Sequence, residues 1–211
     1  MGIATRRLRL LALVLAASVA SCPQARTVAP PAARFRVLVE TSKGPLVIEV
    51  VRDWAPHGAD RFRKLVMEGY YDDTRFFRVV KDRWAQFGIN GVPAVAQRWR
   101  RATIPDEEPG RPSQSNVRGT VAFAFGEPNG RSTEVFINLG DNSRLDAQGF
   151  VPFGRVVEGM DVAAALESGY GETSGGGIRA GRQQPIFEGG NGWLDERFPR
   201  LDRIVRASVL P

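Results

Sequence analysis

Eight short runs rich in β-branched and aromatic residues, each closed by glycine, proline or a polar turn, set the tightest limit on what this chain can fold into. They cover residues 34–41, 45–51, 75–80, 83–87, 119–125, 133–139, 150–157 and 202–210. Residues of this type favour the pleated, half-buried surface of a strand. No helix recurs between one strand and the next, so a parallel sheet built from βαβ units is excluded and an antiparallel barrel is expected. The fold class is therefore mainly β, a closed eight-stranded antiparallel barrel capped by two helices. Closure would remove exposed strand edges.

The first two runs are joined by Ser42-Lys43-Gly44 and should form a hairpin. Pro56 stands where a helix can begin, and Phe62, Leu65 and Val66 follow at helical spacing, with Tyr70 in step just past Gly69, which ends the helix. A second, shorter helix over 159–168 would turn its alanines and Leu166 inward. Pro152 fits only an edge strand or a bulge. Residues 89–118 read as a long ordered excursion over the surface, with the basic cluster at 97–103 as a solvated loop before Asp106, Glu107 and Glu108. The glycine-rich stretch 171–177 lacks the lysine and hydroxyl residue of a phosphate loop and reads as a flexible surface turn.

At the N-terminus, Arg6, Arg7 and Arg9 precede the apolar run 10–17 and the small residues 18–21, which are the three parts of an export signal. The apolar run is too short to span a bilayer. Val19-Ala20-Ser21-Cys22 resembles a bacterial lipobox, so Cys22, the only cysteine, is expected to carry lipid; cleavage after Ala20, leaving a free thiol, is the alternative. The chain then divides into an export signal over 1–22, a Pro- and Ala-rich tether over 23–33 and one domain over 34–211. The expected location is the periplasm, with the membrane reached only through the lipid. The formal charge is +6; without the three signal arginines it is near +3, too mild for a nucleic-acid partner.

The residues that invite chemistry sit at 74–91. Strand alternation over 75–80 would place Phe76, Arg78 and Val80 on one face and Phe77 and Val79 on the other. An arginine between apolar residues on a sheet face is paired, reaches to water or waits for a ligand. Gln86, across the turn at Lys81-Asp82, is its nearest polar neighbour, able both to donate and to accept. His57, the only histidine, falls in the first turn of the first helix and reads as a surface residue. There is no Ser-His-Asp arrangement and no histidine-rich metal set, so neither a cofactor nor a metal is called for.

These residues carry a resemblance. The stretch FFRVVKDRWAQFG resembles the first cyclophilin motif, NVRGTVAFAFGEPNGRSTEVFIN the second, and LDAQGFVPFGRVVEGMDVAAAL the third, in order, between Phe35 and Leu210. The resemblance implies an eight-stranded barrel with two helices and peptidyl-prolyl cis–trans isomerase activity. It also implies that Arg78 is the essential arginine, Gln86 its glutamine, Phe136 the floor of the proline pocket, Leu145 a pocket wall and Ala124 a backbone contact to the peptide. Five positions depart from the family pattern: Arg83 in place of phenylalanine, Trp84 of methionine, Glu134 of glutamine, Arg144 of tryptophan and Phe150 of histidine. Arg83, Trp84, Glu134 and Phe150 are thereby further candidate substrate contacts, with Arg83 and Glu134 expected to form an ion pair, directly or through Arg78, at the rim.

The implied function is isomerisation of X–Pro bonds in exported proteins, assisting their folding, by a monomer whose partners are proline-containing polypeptides. The alternative is a proline-peptide-binding or chaperone-like module with weak or no turnover, because the altered wall changes the pocket while the arginine is kept.

Overall fold

The structure is a computed structural model and describes residues 32–108, 114–174 and 183–211. The export signal, Cys22 and nearly all of the tether lie outside these residues.

Eight strands form one antiparallel sheet in the order β3-β4-β6-β5-β7-β2-β1-β8. β1 (Arg34–Thr41) and β2 (Gly44–Val51) pair from Arg34↔Val51 to Thr41↔Gly44, the hairpin that the Ser42-Lys43-Gly44 turn predicts. β3 (Arg78–Val80) pairs with β4 (Trp84–Phe87), β4 with β6 (Val135–Asn138), and β6 with β5 (Thr120–Phe123). β7 (Pro152–Glu158) lies between β5 and β2, and β8 (Ile204–Val209) completes the sheet beside β1. Pro152 opens its strand at a register shift opposite Ala122, so a central strand tolerates it as a bulge.

The sheet curls but does not close, contrary to the expected barrel. Its two ends, β3 and β8, meet only through an isolated bridge between Arg75 and Arg203, with Phe76 N–H donating to Asp202 O at 2.8 Å and Ile204 N–H to Thr74 O at 2.9 Å. The cause is local. Residues 76–77 leave strand geometry, so Phe76 and Val79 enter the same core and Phe77 packs into a second cluster with Ile186, Phe187 and Leu194. The expected alternation over 75–80 therefore fails, and β3 is left with three residues.

Helix α1 (Pro56–Met67) buries Phe62, Leu65 and Val66 and packs against β7 and β8. Gly69, at φ 65°, ends it, and Tyr70 is buried just beyond. Helices α2 (Pro93–Arg100), α3 (Met160–Ala164) and α4 (Gln184–Arg197) follow, so the described residues hold four α-helices rather than two. In the short α3 only Ala163 is buried, joined by Leu166 just after it, whereas Ala164 and Ala165 face solvent. The basic cluster read as a loop lies largely on α2, where Trp99 packs edge-on against Tyr70 and under Arg61 and Lys64. α2 and α4 pack together and form a layer outside the sheet. Gly190 breaks α4 at φ 58° and ψ −147°, and a Cβ there would stand 2.1 Å from Gly91 O. Only glycine permits both that conformation and that approach.

Candidate active site

The β3–β4 hairpin puts the two central side chains opposite each other. Lys81-Asp82 make the turn, with Asp82 at φ 58° and Arg83 N–H donating to Val80 O at 3.0 Å, and the register pairs Arg78 with Gln86. Arg78 Nη1 donates to Gln86 Oε1 at 3.0 Å, in keeping with their places across the turn. Gln86 is buried and pairs on its other side with Phe136 of β6.

Arg78, Trp84, Gln86, Ala124, Phe136, Arg144, Leu145 and Phe150 share the lining of one open cleft of about 400 Å³. Phe136, 5% exposed, is one of its aromatic lining residues. Phe150 stands edge-on to Phe136 at 5.8 Å and stacks on Phe125 at 4.4 Å, so phenylalanine at this position extends the apolar wall. Leu145 sits on a 3-10 turn, Ser143–Gln148. Ala124 lies at the end of β5, its N–H donating to Glu134 O at 2.9 Å.

Two expected contributors lie elsewhere. Arg83 is exposed outside the lining, stacked on Trp84 at 4.8 Å. Glu134 is behind Gln86 and accepts from Gln86 Nε2 at 2.7 Å and from Gln183 Nε2 at 2.8 Å. The expected ion pair is absent, both directly and through Arg78, whose carboxylate partner is Glu172, and the direct pair fails for a reason of register. β4 runs antiparallel to β6 with Trp84 opposite Asn138 and Phe87 opposite Val135, so Arg83 and Glu134 flank opposite ends of one strand. At about 3.4 Å per residue their backbones are separated by roughly 17 Å along the strand.

Burial pushes the Glu134 carboxyl up to about 7, outweighing the hydrogen bonds from Gln183 and Gln86 and the attraction of Arg100 and Arg78. Its acceptor oxygen and the donor-only guanidinium fix the Gln86 amide between them, with Nε2 toward Glu134 and Oε1 toward Arg78.

Several contributors escaped the sequence reading. Glu172 takes Arg78 with both oxygens, from Nε at 2.6 Å and Nη2 at 2.8 Å. It belongs to the glycine-rich stretch read as a flexible turn, yet Ser174 in the same stretch is buried and donates to Phe77 O at 2.6 Å. Residues 175–177 of that stretch lie outside the described residues. A buried asparagine set holds the Leu145 turn: Asn142 Nδ2 donates to Arg83 O at 2.6 Å and to Asn138 Oδ1 at 2.8 Å, and Asn138 Nδ2 to Thr120 Oγ1 at 2.9 Å. Asn116 Nδ2 reaches Phe150 O at 2.6 Å and Asp146 Oδ1 at 2.7 Å. An asparagine at the end of an apolar strand, as in 135–138, was the one available signal. Glu172 and Gln183 gave none. His57 sits at the start of α1, its backbone N–H donating to Glu107 at 3.3 Å. Among the described residues no group of three His, Cys, Asp or Glu could hold a metal ion.

The chain is similar to known proteins in sequence and in fold. Residues 36–186 match the profile of the family described as cyclophilin type peptidyl-prolyl cis-trans isomerase/CLD. The peptidyl-prolyl cis-trans isomerase cyp18 of Streptomyces antibioticus is 34% identical over 139 residues, covering 62% of this chain and 82% of its own. Peptidyl-prolyl cis-trans isomerase B of Escherichia coli is 31% identical over 139 residues, 62% of this chain and 83% of its own. A Cryptosporidium parvum cyclophilin type isomerase crystallised in the presence of the dipeptide Ala-Pro superposes with a TM-score of 0.60 at 20% identity, over 83% of this chain and 99% of that one. The chain belongs to the cyclophilin-type peptidyl-prolyl cis-trans isomerase family.

Proposed function

We propose that this isomerase turns X–Pro bonds of exported polypeptides as they fold, with Arg78 stabilising the twisted amide and Phe136, Leu145, Phe150 and Trp84 gripping the ring. The barrier is amide resonance, about 18–20 kcal/mol, and no covalent chemistry is needed to lower it. As the bond twists, the prolyl nitrogen becomes pyramidal and regains a lone pair. A guanidinium that donates to that lone pair acts only in the twisted state, which is the condition for raising kcat. The observation that carries the reading is Arg78 held at the cleft by Glu172 and Gln86 and stacked 4.6 Å from Trp84, with one N–H left on each terminal nitrogen. Gln86 orients Arg78, and Ala124 offers its backbone to the peptide. Glu134 acts only indirectly, from behind Gln86, and Arg83 stands at the rim beside Trp84 rather than gripping the ring. The Ala-Pro dipeptide used with the Cryptosporidium relative is a ligand of the same kind.

The export signal and Cys22 support placing the mature protein on the periplasmic side of a membrane, tethered by lipid through residues 23–33. A second reading, a proline-peptide docking module with weak turnover, is favoured by Glu172, because a bidentate carboxylate competes for the guanidinium. NMR exchange on an Ala-Pro tetrapeptide tests both. Exchange broadening at catalytic enzyme concentration supports the isomerase; binding without exchange supports the module.

A further inference from the structure

Trp84 lines the cleft and gathers three guanidinium groups, Arg78 at 4.6 Å, Arg83 at 4.8 Å and Arg144 at 5.9 Å from its ring centroid. Their states differ. Arg78 has its charge paired with Glu172 and also donates to Gln86. Among the described residues, Arg83 and Arg144 have no carboxylate within ion-pair distance. Stacking on an indole uses the flat face of a guanidinium and leaves the N–H groups at its edge free, so these two arginines are placed but still have donors to offer.

Their backbones are fixed as well. Arg83 O accepts from Asn142 Nδ2 at 2.6 Å and from Leu139 N–H at 2.9 Å, and Arg144 O accepts from Gln148 Nε2 at 3.2 Å. Acids on the adjoining loops do not quench them. Asp146 is taken by Ser115 at 2.5 Å and Asn116 at 2.9 Å, Asp141 accepts from Ser143 N–H at 2.9 Å, and Asp82, beside Arg83, makes no ion pair with it. The result is a rim of unspent positive charge joined to an apolar cleft by one indole.

Resting on the isomerase reading of the cleft, we infer that this site selects X–Pro segments with an acidic side chain next to the proline, received by Arg83 and Arg144. A carboxylate within reach of the two forks gains charge-assisted hydrogen bonds, and a basic side chain there meets like charge. Selectivity of this origin weakens as salt screens it.

The test compares Glu-Pro, Ala-Pro and Lys-Pro tetrapeptides, with the charged residue before or after proline, at low and high salt on the full chain, by NMR exchange for turnover and by calorimetry for binding. At least a five-fold preference in kcat/KM or Kd for a glutamate peptide over its lysine counterpart is expected at low salt. That preference should shrink at high salt and fall below two-fold in the Arg83→Gln/Arg144→Gln double variant. Equal handling of glutamate and lysine peptides by the wild type, or a preference that survives the double substitution, overturns the inference. Acid-selective binding without turnover would uphold it while overturning the isomerase reading; turnover blind to charge would do the reverse.

Discussion

Glu172 holds Arg78 in a two-point grip, Oε2 to Nε at 2.6 Å and Oε1 to Nη2 at 2.8 Å, so the cleft's central cation faces a carboxylate that lies 94 residues further along the chain. Glu172 is half exposed, so the pair adds little to stability, about 0–1 kcal/mol. Its effect is on the guanidinium, whose positive charge it offsets at the point where a prolyl lone pair must be met. Glu172→Gln should therefore raise kcat/KM on an Ala-Pro peptide by about two- to five-fold, at most ~1 kcal/mol in the barrier, with the urea midpoint unchanged. A fall in kcat/KM would assign Glu172 a positioning role instead.

Arg78→Ala should lower kcat/KM on the same peptide at least ~10-fold, about 1.4 kcal/mol of transition-state stabilisation, with the circular dichroism spectrum preserved. Equal rates for variant and wild type would remove Arg78 from the mechanism.

Glu134 gives stability a pH dependence of defined sign. Its folded value, about 7, lies above its ordinary 4.5, so the folded chain binds this proton more tightly than the unfolded chain. The contribution is full below 4.5 and is lost as pH rises through about 7. Glu134→Gln, neutral at every pH, should be more stable than wild type at pH 8 by about 1 kcal/mol or more, and nearly equal to it at pH 5. Urea midpoints at the two pH values check this; a gap independent of pH would show that the carboxyl does not titrate in that window.

Gly190→Ala should cost at least about 2 kcal/mol, because φ 58° and the 2.1 Å approach to Gly91 O both exclude a side chain. Thermal unfolding reads the loss. Gly126, with open space around its Cβ position, is the control, and Gly126→Ala should leave the midpoint nearly unchanged.

Cys22→Ser should move the mature protein from the membrane to the soluble periplasmic fraction, since two or more acyl chains at about 0.8 kcal/mol per buried CH₂ hold a protein firmly on a bilayer. Wild type recovered in the soluble fraction at its unlipidated mass would rule out the anchor.

Much of the site could be read in the sequence because it is local. Arg78 and Gln86 flank one turn, so alternation and turn chemistry bring them together without knowledge of the rest of the fold. What failed was whatever depended on distant packing. Phe77 is drawn to Ile186 and Phe187, a contact across more than a hundred residues that shortens β3 and leaves the sheet open. The Arg83–Glu134 pair was expected from two positions that flank a shared pocket, whereas the β4–β6 register decides their separation. Glu172, in the glycine-rich stretch, reaches Arg78, and Gln183, beyond it, reaches Glu134, and nothing in the composition around either one marks a partner.

The single bridge at Arg75 and Arg203 has a thermal consequence. The hairpin bearing Arg78 and Gln86 is the free end of the sheet, fastened on its outer side by that bridge, by Ser174 on Phe77 and by Arg75, only 5% exposed, gripping Asp195 of α4 at 2.9 Å through two nitrogens. The β1–β2 hairpin, by contrast, is bonded along its whole length and held between β7 and β8. On warming, the β3 margin should fray first, so turnover would fail at a temperature at which most of the sheet still protects its amides from exchange.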